Sequence, residues 1–126
     1  KIRAGWRVKR KFRLTHSNDY KRVRHSGKSY AHPLSVIIVG EGQEENPRVG
    51  IQVSKALGGA VQRNRVKRQL RAIISMALPS IKHNADIVVI PRGPASRATF
   101  QEIQSAVLGL LGRAGLFGAD NNDSGR

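Results

Sequence analysis

The chain contains no cysteine. That excludes a disulfide framework, a cysteine-ligated zinc site and a thiol nucleophile, and it fits a reducing compartment. Acidic residues are scarce: 8 Asp and Glu stand against 23 Lys and Arg, a formal charge of +15. A metal-dependent nuclease needs carboxylates gathered around its ion. Here Asp19, Glu41, Glu44, Glu45, Asp86, Glu102, Asp120 and Asp123 are scattered, so no catalytic side chain and no protein metal site are expected. His16, His25, His32 and His83 show no helical metal spacing and read as solvated surface residues. Aromatics amount to 5 %. No apolar run approaches the roughly 18–20 residues of a membrane-spanning helix. The basic opening is not followed by an apolar signal-peptide core, so a cytoplasmic protein is expected.

Positive charge is what remains in excess. A +15 chain gains a large counterion-release term on binding a polyanion, and RNA, DNA and an anionic membrane all qualify. The 126 residues suit one domain, expected over 1–117, with a basic arm at 1–13 and a flexible tail at 118–126. Trp6 and Phe12 are the arm's aromatics, able to stack on a base or to anchor the arm on the core.

Local patterns predict the elements. Ser17 is placed to cap a helix from Asn18 to about His25, with Tyr20 and Val23 on its buried side. An extended run at 29–39 is rich in β-branched residues but broken by Pro33, which leaves room for an extra strand. After the polar turn at 40–47, residues 48–54 alternate, and pairing of these two runs as an antiparallel hairpin is expected. A helix is predicted from Ala60 to Ala77, stopped by Pro79, with Val66, Leu70, Ile73, Ile74 and Ala77 as its apolar stripe. Ile87-Val88-Val89-Ile90 reads as a strand covered on both faces. Thr99 and Glu102 form a capping box before a last helix carrying Ile103, Val107, Leu110 and Leu111. One small sheet packed by helices is the natural architecture, an α+β single domain.

The long helix carries the chemistry. Arg63, Asn64, Lys67, Arg68 and Arg71 lie away from its apolar stripe. Between Arg48 and Ala85 there are eight basic residues and no acidic one. A solvated helix usually mixes signs to gain i,i+4 pairs; this one forgoes them, and a bound anion would relieve the repulsion. Arginine's planar fork suits phosphate, and Asn64 adds a donor and an acceptor suited to a 2′-hydroxyl or a base edge. Gly58-Gly59 ahead of the helix either opens its N-terminus to a phosphate or simply permits a tight turn.

The run Lys55-Ala56-Leu57-Gly58-Gly59-Ala60-Val61-Gln62-Arg63-Asn64-Arg65-Val66-Lys67-Arg68-Gln69-Leu70-Arg71 resembles the Arg-Asn-Arg signature of the bacterial ribonuclease P protein family. Arg13-Leu14, Asp19-Tyr20, Val23 and Gly27 resemble that family's opening helix. Arg48 to Ser54 and Ile87 to Arg92 resemble its strands, so the likeness covers residues 12–112. The resemblance implies a four-stranded mixed sheet in the order α-β-β-β-α-β-α, with helices on one side and a left-handed βαβ crossover that no spacing argument would predict. It implies a protein subunit of an RNA enzyme that removes the 5′ leader from precursor tRNA. The chemistry would lie on the RNA, with Mg²⁺ held mainly by that RNA and no covalently bound cofactor. The implied partners are ribonuclease P RNA and precursor tRNA, without membrane or DNA, in a one-to-one ribonucleoprotein whose protein is monomeric.

Carried over by position, Arg63, Asn64, Arg65, Lys67, Arg68 and Arg71 would face the catalytic RNA. Phe12, Arg13, Tyr20, Arg24 and Lys55 would line the leader cleft, with Tyr20 as a stacking plane. The family usually has aromatics where this chain has Arg24 and Ser35. The cleft should therefore be poorer in stacking surface, and leader binding more salt-sensitive and less base-selective. A structural RNA-binding protein of ribosomal type is the alternative reading, separated only by the signature. A membrane-surface or DNA-binding protein is a third class. Here the single basic face amid real strands argues against a membrane peptide, and no helix-turn-helix or zinc pattern supports DNA readout.

Overall fold

The computed structural model describes residues 8–118. In chain order it holds α1 (Ser17–Ser26), β1 (Lys28–His32), β2 (Ser35–Glu41), β3 (Arg48–Ile51), α2 (Ala60–Ala77), β4 (Ala85–Pro91) and α3 (Phe100–Arg113). Short 3-10 turns at Arg10–Phe12, Lys55–Leu57, Leu78–Ser80 and Gly93–Arg97 link them. The broken run does become two strands. His32 Nδ1 accepts from the Leu34 N–H (3.0 Å) in the turn between β1 and β2, which pair antiparallel from Lys28↔Val39 to His32↔Ser35.

The sheet order is β1-β2-β4-β3. The antiparallel hairpin expected from 29–39 and 48–54 does not form. β4 lies between the two, antiparallel to β2 and parallel to β3, and α2 makes the crossover. The physical reason lies in the apolar strand: Ile87, Val88 and Val89 are almost wholly buried, which only a central strand achieves. β3 is accordingly an edge strand, and it ends at Ile51 although the Gln52 N–H still donates to the Val89 carbonyl at 2.9 Å.

Helices cover both faces of the sheet, not one. Ile37, Ile87 and Val89 point into the main core with Leu70, Ile73 and Ile74 of α2 and Ile103, Val107 and Leu110 of α3. Ile38 and Val88 point the other way, toward Val23 of α1 and Leu14. Strands β2 and β4 are apolar on both sides, so both sides need cover. The expected stripe of α2 is buried at every position, and its span agrees with the sequence reading.

The helix ends differ in detail. Ser17 does not cap α1; it is the first helical residue, and His16 occupies the cap without a side-chain hydrogen bond. The capping box of α3 is formed, with Thr99 Oγ1 accepting from the Glu102 N–H (3.1 Å) and Glu102 accepting from the Thr99 N–H (2.9 Å). Gly58 has φ +111°, a conformation that L side chains rarely adopt, and this turn starts α2 at Ala60.

Candidate nucleic-acid interface

The crossover fixes where the basic face points. With its stripe locked against the sheet, α2 turns Asn64, Arg68 and Arg71 to solvent, while Arg63 and Lys67 are half-buried at the margin. At 100° per residue these five side chains span about 140° of the helix. Val61 adds an apolar surface, 79 % exposed, in the first turn. The first turn receives no side-chain cap, and Gly58 and Gly59 are both exposed. Arg65 stands apart. It lies about 60° beyond Arg68 on the helical wheel, past the buried Ala72, and its guanidinium donates to the Ser96 carbonyl in the turn Gly93–Arg97.

A cleft of about 450 Å³ joins the two predicted groups of residues. One wall is Lys67, Arg71 and Ile74 of α2; the opposite wall is Arg13, Leu14, Thr15 and Tyr20; its floor is Val49, Gly50 and Ile51 at the edge of β3. The N-terminal segment is held there because Arg13 bridges Val49 in parallel and the Leu14 N–H donates to the Val49 carbonyl (3.0 Å). Tyr20 lies directly on Gly50, where any Cβ would collide with the phenol. Burial raises the Tyr20 pKa above 10.0, and a hydrogen bond from the Ile51 backbone opposes it more weakly, so the hydroxyl stays protonated in neutral solution.

The remaining cleft candidates, Phe12, Arg24 and Lys55, do not line it. Phe12 is half-buried in the turn Arg10–Phe12 with the Lys11 ammonium 5.1 Å from its ring centre. Trp6 lies outside the described residues. Arg24 is exposed on α1 and donates to Gln52 Oε1 (3.0 Å), and Lys55 is exposed at the start of its turn. Arg24 borders the part of the α1-side sheet face that α1 leaves open, where Val36 and Ile90 pair in register and are only half-buried. Arg92, which the sequence reading overlooked, follows β4 at the same end, its N–H donating to the Leu34 carbonyl (2.9 Å) and its guanidinium to that of His32 (3.4 Å). Its signal was available: a cation directly after an apolar strand. Ser35 corrects an expectation. It is 1 % exposed and its Oγ donates to the Ile90 carbonyl (3.2 Å), so this position lines no open cleft and its lost aromatic ring removes no stacking surface. Of these two positions only Arg24 is exposed.

A charge network braces α1 against the sheet. Asp86 is 0 % exposed and accepts from Arg22 (2.5 Å) and from Nε and NH2 of Arg48 (3.0 and 2.9 Å). Asp19 also accepts from Arg22 (3.0 Å). The hydrogen bonds to Asp86, above all, hold both guanidinium pKa values above the ordinary one. Nothing local in the sequence announces this set, whose members come from α1, β3 and β4. Among the described residues no three His, Asp or Glu side chains gather into a set able to hold a metal ion.

Comparison with known proteins gives a consistent result. The sequence model of the family described as Ribonuclease P matches residues 8–115. The chain is 38 % identical over 110 residues to the ribonuclease P protein component of Herpetosiphon aurantiacus, covering 87 % of this chain and 89 % of the relative. It is 36 % identical over 112 residues to that of Clostridium novyi, covering 87 % and 99 %. The RNase P protein of Staphylococcus aureus superposes with a TM-score of 0.77 at 34 % identity, over 85 % of this chain and 98 % of that one. The Thermotoga maritima RNase P protein gives 0.73 at 32 % identity, over 80 % and 96 %.

Proposed function

The chain belongs to the ribonuclease P protein family, and we propose that it serves as the RNA-binding protein subunit of that enzyme, assisting a catalytic RNA in removing the 5′ leader from precursor tRNA. The observation that carries this reading is the basic band of exposed Asn64, Arg68 and Arg71, with half-buried Arg63 and Lys67 at its margin, on a helix whose other side is locked into the core. That band is the surface for the catalytic RNA. Rigid backing matters, because cations held in place lose less freedom when they meet phosphates.

The leader takes the α1 side of the molecule, where Tyr20, Arg24, Lys55 and Arg92 offer one ring and three cations. Binding both RNAs reduces their mutual repulsion and fixes the scissile phosphate where RNA-bound Mg²⁺ acts on it. The protein supplies position and charge. The pairing of Asp19 and Asp86 with arginines supports leaving the bond-breaking chemistry to the RNA, since those carboxylates are already committed.

The test is cleavage of a precursor tRNA by bacterial ribonuclease P RNA at low Mg²⁺, with and without this protein, beside protein alone. Activity is expected only when both are present. Cleavage by the pure protein would place chemistry on its side chains. If the RNA works at high Mg²⁺ but the protein adds nothing at low Mg²⁺, a purely structural RNA-binding role takes precedence.

A further inference from the structure

We propose that Arg65, the second arginine of the Arg63-Asn64-Arg65 run, is a positioning residue that ties the catalytic-RNA helix to the leader-binding end of the sheet, and does not itself contact RNA. The inference rests on the functional reading above and deepens it. Three observations carry it.

The first is direction. Arg65 lies outside the exposed band, on the side of α2 where Ala72 and Ile73 are buried. The second is partnership. Its guanidinium donates to the Ser96 carbonyl, and the Ser96 hydroxyl donates to the Gly93 carbonyl (2.9 Å), so the fork closes onto an internally bonded turn. The third is what that turn holds. The turn Gly93–Arg97 packs against the turn Lys55–Leu57, with Ala95 and Leu57 both buried in the main core. A Cβ on Gly93 would stand 3.3 Å from the Ala56 carbonyl oxygen, so the two turns are in close register. Lys55 opens one turn and Arg92 immediately precedes the other. Arg65 thus sits at the root of the two cations that flank the open sheet face, although it belongs to the helix that carries the other RNA surface.

A phosphate-contacting arginine and an internal tie differ in charge dependence. Removing a phosphate contact makes the salt dependence of RNA affinity shallower by about one. Removing a tie leaves that slope alone and misplaces what the tie held. Glutamine separates the cases, because its neutral amide can still donate to a carbonyl.

The experiment uses holoenzyme reconstituted with bacterial ribonuclease P RNA and the full chain as wild type, Arg65→Ala, Arg65→Gln and Arg68→Ala. Two quantities are read: the salt slope of affinity for the catalytic RNA, and the ratio of holoenzyme affinities for a precursor tRNA with a short leader and for the same tRNA without one. Arg65→Ala is expected to keep the wild-type slope and to lose about tenfold in the leader ratio, the scale of one charged hydrogen bond. Arg65→Gln should keep the slope and recover most of the ratio, while Arg68→Ala should reduce the slope. A slope reduced by about one in Arg65→Gln overturns the tie, and so does a wild-type leader ratio in Arg65→Ala. A wild-type holoenzyme with no leader preference would instead remove the functional reading on which the tie stands. Should Arg65→Ala fail to fold, the slope and ratio of Arg65→Gln still decide.

Discussion

Asp86 shows how one residue can commit a fold to a particular arrangement of charge. In the sheet register it stands between Gly40 and Arg48, and Arg22 reaches it from α1. A carboxylate wholly out of water is costly unless paired and hydrogen-bonded, and here two guanidinium groups meet that need. Removing it leaves two arginines facing a low-dielectric gap, with Asp19 as their nearest remaining anion. Asp86→Ala should therefore destabilise the protein by about 3 kcal/mol, the low end for breaking a buried pair, because Arg22 can turn partly to water. Thermal melting would register this as a fall of about 10 °C or more. A melting point within a degree or two of wild type would mean that the network contributes nothing net. Gly50 is constrained from the same side: Tyr20 occupies the space of a side chain there, so the aromatic's seat on the edge strand requires glycine.

At the scale of elements, α2 has two jobs that its circumference separates except at one margin, where Ile74 lies between Arg63 and Lys67. One arc builds the core and the other presents cations. Arg68→Ala touches only the second, since Arg68 is exposed and lies away from the buried stripe. It should leave the melting temperature almost unchanged and weaken assembly with the catalytic RNA by about 1–2 kcal/mol, the worth of a charged hydrogen bond, without shifting the cleavage site. A displaced cleavage site with intact assembly, read on a sequencing gel, would contradict the assignment. The basic stripe was legible in the sequence because helical periodicity separates the two arcs, and so were the Pro79 stop and the Thr99–Glu102 box. Arg65 was not. Adjacency to Arg63 and Asn64 suggested a shared role, whereas a helix sends consecutive residues 100° apart and a distant turn had claimed this one.

Across the whole molecule, the carboxylates of the sheet gather at one end of the strands. Glu41 ends β2 and Glu44 and Glu45 follow it, at the end of the sheet where β3 and β4 begin. Lys55 and Arg92 sit beyond the opposite ends of β3 and β4. Such an asymmetric field orients an approaching polyanion before contact. Four phosphate contacts, through Arg63, Lys67, Arg68 and Arg71, should give a plot of log affinity against log salt with a slope of about −3 to −4. Filter binding or fluorescence titration against the catalytic RNA over a salt series measures it. A slope shallower than about −2 would confine the interface to two or three phosphates and refute a broad basic face.

Element types and spans along most of the chain, the apolar stripe of α2 and the basic excess were all readable from residues within a few turns of one another. Their causes are local: backbone propensity, periodic burial and formal charge act over short separations. Pairing order was not readable. Two neighbouring extended runs suggested a hairpin, and only the tertiary structure placed β4 between them, because burial on both faces of 87–89 outweighs the short loop that favours sequential pairing. The same folding buried Ser35 out of the cleft, brought Arg13 and Tyr20 to face Lys67 and Arg71, gathered Arg22, Arg48 and Asp86 from three elements, and turned Arg65 inward. Each depends on contacts between residues far apart in the chain, where many pairings satisfy the same local pattern and only joint burial selects one.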